Sequence, residues 1–171
     1  MTNLFLWLFI LGMGIFYYIL ITSKYGVIGS ISASYNYLET QVSKSLYSWF
    51  IFGVAVPMML LSNNAWGWWA GAFLAIDFAA PTGGDKLQHT LHCIGADVGM
   101  GLGVAMLWIV WGMWWLTVPA IVIIALLYIL GNYKIKGKIW VKNETWWIEW
   151  FVYAVVMVGM FIERVMDYIK D

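Results

Sequence analysis

Charged residues are scarce in this sequence, which has nine Lys and Arg and nine Asp and Glu among its 171 residues. They make up 11% of the chain, whereas a soluble domain carries about 25%. Hydrophobic residues, in contrast, reach 63%. This composition excludes a soluble globular protein and predicts a polytopic membrane protein whose first partner is the lipid bilayer.

Two other scarcities narrow the function classes. The chain has a single cysteine, Cys93, which excludes a disulfide within the chain. Its net charge is zero and it has no long basic tract, so we expect no nucleic acid partner. Only two histidines are present, which limits any metal site to a small set of ligands.

Long apolar runs make up most of the chain. A membrane-spanning helix needs about 20 mainly apolar residues. Six segments meet this need and predict an all-α bundle of six transmembrane helices in one domain, residues 1–171, with spans near residues 4–21, 46–61, 66–80, 87–110, 114–130 and 146–166. The longest connection, residues 26–45, is polar but nearly uncharged, and we expect a loop there rather than a segment packed under the bundle.

The distribution of basic residues predicts the orientation. Seven of the nine basic residues lie in the odd-numbered loops: Lys24, Lys44, Lys86, Lys134, Lys136, Lys138 and Lys142. Only Arg164 and Lys170 lie at the termini and in the even-numbered loops. Because basic loops stay in the cytoplasm, this bias predicts that the odd-numbered loops are cytoplasmic and that both termini lie outside.

One polar stretch, residues 77–97, interrupts this apolar chain. It holds both histidines, the only cysteine and three of the nine acidic residues. His89 and His92 lie three residues apart, so they share a face of the fourth helix, and a short hairpin brings them to the level of Asp77. Polar groups are costly inside a membrane. The stretch therefore predicts a cytoplasm-facing polar pocket, formed by Asp77, Asp85, His89, His92 and Asp97.

Several functions fit such a pocket. It can bind a lipid headgroup or a partner membrane protein, which is the function we favour. Asp77, His89 and His92 can instead hold zinc and activate water in a lipid hydrolase. Asp97, placed near the bilayer midplane, can form a proton or ion path with the histidines. The plainest alternative is that these groups only form hydrogen bonds between helices.

Small residues on the fourth helix indicate how it packs. Gly95, Gly99 and Gly103 recur every four residues, a spacing that lets a second helix approach closely. We therefore expect this helix at the centre of the bundle. A homo-oligomer is also compatible with the sequence.

Two short patches resemble known sequences. Gly-Ser-Ile-Ser-Ala-Ser-Tyr at 29–35, and Ala-Ala-Pro at 79–81 followed by Leu-Gln-His at 87–89, resemble patterns in small uncharacterised bacterial multi-pass membrane proteins. The chain is also faintly similar to the superfamily of alkaline ceramidases and adiponectin-receptor-like proteins. That similarity implies zinc-dependent hydrolysis with Asp77, His89 and His92 at matching positions. The chain departs from the family in having six spans rather than seven and no third histidine.

Overall fold

The fold is an all-helical bundle, seen in a computed structural model that describes residues 2–38, 40–79, 86–134 and 138–170. Its helices are α1 (Thr2–Tyr25), α2 (Ser34–Tyr37), α3 (Gln41–Ser62), α4 (Ala65–Ala79), α5 (Lys86–Ile109), α6 (Trp114–Asn132) and α7 (Glu144–Lys170). Five of them, α1, α3, α5, α6 and α7, are long and apolar enough to cross a membrane. The prediction of a helical membrane bundle is confirmed.

The third predicted span is shorter than a full crossing. It corresponds to α4, which has 15 residues and is therefore about 22 Å long at 1.5 Å per residue. The hydrocarbon core of a bilayer is about 30 Å thick. Five of the six predicted spans therefore correspond to helices long enough to cross a membrane, and the third does not.

The successive helices α1, α3, α4, α5, α6 and α7 alternate in direction, so the bundle has two ends. One end, which we name the lysine end, carries the described lysines of the connections: Lys24, Lys44, Lys86, Lys134, Lys138 and Lys142. At the opposite end, α3 turns into α4 and α5 turns into α6. The α3–α4 turn uses Asn63 in the left-handed conformation at φ 47°, and the Asn64 side chain accepts a hydrogen bond from Gly67 N at 3.0 Å. These caps let two helices follow each other almost without a linker.

The helices form a compact core with one peripheral member. Helix α4 packs between α3 and α5, while α1 packs on α3 and α7. Two side chains of this last pair bond to backbone carbonyls across the interface, Trp7 Nε1 to Met157 O at 3.0 Å and Tyr153 Oη to Ile10 O at 2.5 Å. Helix α6 packs mainly on α7 and stays largely exposed. That residues 1–171 form a single domain stays a prediction.

The connection from α1 to α3 is folded, contrary to the loop expected from its sequence. Residues 26–38, which we name the floor segment, run under the bundle at the lysine end and include the short helix α2. The floor segment buries four side chains, those of Ile28, Ile31, Ser34 and Leu38. Its polar backbone is also held, since Asn143 Nδ2 donates to Val27 O at 2.8 Å and Trp146 N donates to Gly29 O at 3.1 Å. Buried side chains every three or four residues, three of them apolar, explain why the segment packs.

Candidate functional site

Asp77 and His92 form a buried pair near the lysine end. Asp77 lies two residues before the end of α4, and His92 is the seventh residue of α5. Nδ1 of His92 contacts Oδ1 of Asp77, and the two residues are only 4% and 3% exposed. A buried carboxylate is costly unless it is paired. The pair therefore satisfies Asp77 where solvent does not reach it.

Tyr47 of α3 completes the pair. Its hydroxyl lies 3.3 Å from Oδ1 and 3.2 Å from Oδ2 of Asp77, so it donates to the carboxylate. Tyr47 is fully buried. Three helices, α3, α4 and α5, thus contribute one polar group each to a single cluster.

Glycine in α5 makes this contact between α4 and α5 close. A Cβ added at Gly95 would lie 2.6 Å from Asp77 N and 2.8 Å from Phe73 O. At Gly99 it would lie 3.1 Å from Leu74 N, and at Gly103 it would lie 3.3 Å from side chains of Met58 and Val156. All three glycines are buried. Glycine at position 95 therefore lets the α4 backbone approach close enough for Asp77 to meet His92.

A second carboxylate, that of Glu149, anchors the floor segment to α7. Glu149 is half-buried, and its Oε2 accepts a hydrogen bond from the backbone N–H of Ile31. Nearby, Tyr17 Oη and Ser34 Oγ are hydrogen-bonded at 2.5 Å, and Ser34 also donates to Ile31 O. The floor segment is therefore held between α1 and α7.

A central cavity of about 90 Å³ begins at these polar groups. Its polar end is lined by Ser32, Tyr47, Asp77 and Glu149. Beyond them its wall is apolar and includes four methionines, Met58, Met100, Met157 and Met160. Along α7 the lining runs from Glu149 to Met160, eleven residues or about 16 Å. The cavity is thus a narrow slot with an acidic end and an apolar body.

The structure brings together only part of the pocket predicted from the sequence. Asp77 and His92 meet, as described. His89 is exposed, and its Nε2 lies 3.8 Å from Cys93 Sγ. Asp97 is exposed on α5 and does not line the cavity. Asp85 lies outside the described residues.

The described side chains do not fit the zinc site of the ceramidase-like superfamily. Such a site needs three protein ligands with an open position for water. Asp77 and His92 supply two, but His89 points elsewhere, and no three His, Cys, Asp or Glu side chains cluster within residues 2–38, 40–79, 86–134 and 138–170. We therefore derive no metal-dependent step.

Two members of the site, Tyr47 and Glu149, were not recognised from the sequence. A signal for each exists in the helical spacing. Glu149 lies three, seven and eleven residues before the buried Val152, Val156 and Met160, so it shares their inward face. Tyr47 likewise lies three or four residues before the buried Phe50 and Ile51. A polar residue within an inward apolar stripe indicates a polar contact in the bundle.

Comparisons with known proteins add no relative: no family model, curated protein or solved structure matches the chain. The resemblances noted in the sequence therefore remain hypotheses.

Proposed function

We propose that this membrane protein binds a lipid-like amphiphile in its central cavity. The observation that carries the proposal is the division of the cavity lining into an acidic end and an apolar body. An amphiphile has the same division. Its head would meet Asp77 and Glu149, and the first part of its chain would lie among the methionines.

The acidic end indicates the chemistry of the head. Asp77 and Glu149 are hydrogen-bond acceptors when ionised. A head that donates hydrogen bonds, such as an ammonium group, complements them, whereas a phosphate or sulfate would face two like charges. We therefore expect a preference for a cationic head.

The apolar body sets the size of what enters. A water-sized group needs about 15 Å³, so a cavity of about 90 Å³ holds about six such groups. This suits a head with a short length of chain in single file. Methionine side chains are flexible and adapt to irregular ligands, so the four methionines can admit a longer chain by changing rotamer.

The placement in the membrane is part of the proposal. We infer that α4 also crosses the bilayer, which gives six passes, and that the lysine end faces the cytoplasm of a bacterial inner membrane. The support is the excess of lysine at that end. The head-binding end of the cavity would then lie near the cytoplasmic surface.

The test compares two ligands of equal chain length, dodecylamine and dodecanol, by thermal unfolding of the protein in lipid nanodiscs. We expect dodecylamine to bind more tightly. Glu149→Gln keeps an acceptor for Ile31 N but removes the charge, and should weaken dodecylamine about tenfold with little effect on dodecanol. Ala96→Phe should fill the cavity and abolish both responses.

Glu144→Gln provides the matched control, because Glu144 lies on the same helix as Glu149 but does not line the cavity, so the same loss of charge should leave both affinities unchanged. Equal affinity for the two ligands would contradict the cationic head. Binding that survives Ala96→Phe in a folded protein would contradict the cavity as the binding site.

A further inference from the structure

Helices α5 and α7 are in close contact at the end of the bundle opposite the lysine end. A Cβ added at Gly159 of α7 would lie 2.4 Å from the Leu107 side chain, and one added at Gly103 of α5 would lie 3.3 Å from the Val156 side chain. Leu107 and both glycines are buried. Small residues on each helix therefore bring the two helices together at this end.

The side of α5 that faces α7 becomes exposed towards the lysine end. Residues three or four apart share a face of a helix. The face that carries the buried Leu107 continues towards the lysine end with four residues that are half-buried or exposed: Met100, Ala96, Cys93 and His89. His92, next to Cys93 in the chain but on another side of the helix, is buried. The loss of burial therefore belongs to the face and does not follow from depth in the bundle.

The facing side of α7 shows the same change. Val152 is buried, the next residues towards the lysine end, Glu149 and Ile148, are half-buried, and Thr145 is exposed. Trp146, the residue after Thr145, is fully buried on another side of the helix. In the part of the chain that the structure describes, α5 and α7 therefore diverge towards the lysine end.

The space between the diverging helices joins the central cavity. We name this space the lateral gap; it lies between Ala96 and Cys93 of α5 and Glu149 of α7. Ala96 and Glu149 also line the cavity. Helix α6, which the structure describes in full, supplies no lining residue, and it packs on another side of α7, where a Cβ added at Gly131 would lie 2.4 Å from Glu144. The acidic end of the cavity therefore adjoins both the methionine-lined body and the lateral gap.

The acidic end also lies at the depth of lipid headgroups in the membrane placement proposed above. Glu149 is the sixth residue of α7, about 8 Å from the lysine end of that helix, and Asp77 is two residues, about 3 Å, from the corresponding end of α4. The headgroup layer on each side of a bilayer is about 5–8 Å thick. The head of a lipid in the adjacent leaflet would thus be level with the acidic end.

We propose, on the basis of the proposed function, that the ligand is a two-chain lipid of this leaflet. Its head occupies the acidic end, one chain enters the methionine-lined body, and the second chain passes through the lateral gap into the bilayer. The cavity of about 90 Å³ holds about six water-sized groups, so it has no room for a second chain. Two apolar routes that leave one polar site match the branched shape of such a lipid.

The test compares dodecylamine, which has one chain, with didodecylamine, which has two chains on one ammonium group, by thermal unfolding in lipid nanodiscs. Cys93 is the only cysteine of the chain and is half-buried beside the gap, so pyrenylmaleimide places a bulky apolar group there after the protein has folded. We expect the modification to weaken didodecylamine about tenfold and dodecylamine by less than about twofold, because only the second chain uses the gap.

The matched control is Leu91→Cys in a Cys93→Ala background. Leu91 is exposed, two residues from Cys93 and about 200° around the helix, so the same modification there should leave both affinities unchanged. An unchanged affinity of didodecylamine after modification of Cys93 would overturn the proposal. Equal weakening of both amines would overturn it as well.

Protection of the thiol gives a second measurement. Didodecylamine should slow the reaction of Cys93 with N-ethylmaleimide about tenfold, because the second chain covers the thiol, whereas dodecylamine should have little effect. Equal protection by the two amines, or protection by neither, would contradict the division of the chains. Failure of both amines to bind overturns the proposed function and this inference with it, whereas a cavity that binds dodecylamine without any response at Cys93 overturns the lateral gap alone.

Discussion

Asp77 owes its burial to two residues from other helices. The His92 imidazole contacts one carboxylate oxygen, and the Tyr47 hydroxyl donates to both. Such a group is stable only while its partners remain, because an uncompensated buried charge costs several kcal/mol. The cluster therefore fixes the positions of α3, α4 and α5 relative to one another. It also holds the Asp77 carboxylate at the polar end of the cavity.

His92→Ala should consequently destabilise the protein by about 3–5 kcal/mol, since it leaves Asp77 buried without its main partner. His89→Ala is the matched control, because the same substitution three residues earlier removes an exposed side chain and should change stability by less than about 0.5 kcal/mol. Denaturant unfolding in detergent micelles measures both. Equal effects of the two substitutions would mean that the Asp77 contact contributes nothing to stability.

At the residue scale, reasoning from the sequence predicted that Asp77 and His92 lie together, because a short hairpin joins their helices. It did not predict the contact of Glu149 with Ile31, which lies 118 residues away in the chain. Helical spacing places Glu149 on the inward face of α7, but no local pattern specifies so distant a contact. It included His89 because a spacing of three residues places two side chains near each other on a helix without deciding which one faces inward.

The next scale is that of the helices. Helices α4 and α5 meet backbone to backbone at Gly95, whereas Gly101 on the same helix meets nothing. Glycine is a poor helix former, so its presence at a packed position must be compensated by contact that a larger residue would prevent. Gly95 makes such a contact, whereas Gly101 does not.

Gly95→Ala should destabilise the bundle by about 1–3 kcal/mol, because the new methyl group would overlap the backbone at Asp77 and Phe73. Gly101→Ala should be neutral or stabilising by up to about 1 kcal/mol, since alanine favours the helix and has open space there. Thermal unfolding of the two variants in the same detergent gives the comparison. A more harmful Gly101→Ala would place the close packing on the wrong face of α5.

Helix positions followed from hydropathy with boundaries within a few residues, because a bilayer demands long apolar segments. The floor segment did not follow, since its polar residues are typical of a loop. Its packing depends on Ile28, Ile31 and Leu38, which are buried only because α1, α3 and α7 surround them. The packing of these helices around the segment depends on the whole bundle, so the sequence of the segment alone does not reveal it.

At the scale of the whole molecule, the short helix α4 decides the topology. If it crosses the bilayer, both termini lie on one side and the lysine end on the other. Its length of about 22 Å then requires local thinning of the membrane or cover by its neighbours α3 and α5. Because α4 packs between these two helices, cover is the simpler solution.

Single cysteines at Lys138, Ala65 and Tyr168, each in a Cys93→Ala background, test this topology with a membrane-impermeant maleimide on intact cells. All three positions are exposed. We expect strong labelling at Ala65 and Tyr168, and labelling at Lys138 only after permeabilisation. Labelling of Ala65 and Lys138 from the same side would show that α4 does not cross.

The bonds between the floor segment and α7 have a consequence for synthesis of the chain. Ile31 leaves the ribosome 118 residues before Glu149, and Val27 leaves 116 residues before Asn143. At a synthesis rate of about 5–20 residues per second, Glu149 is therefore added roughly 6–24 s after Ile31. During that interval the nascent bundle lacks the α7 wall of its cavity. A chain truncated before Glu144 would lack α7 and would leave its cavity open on that side.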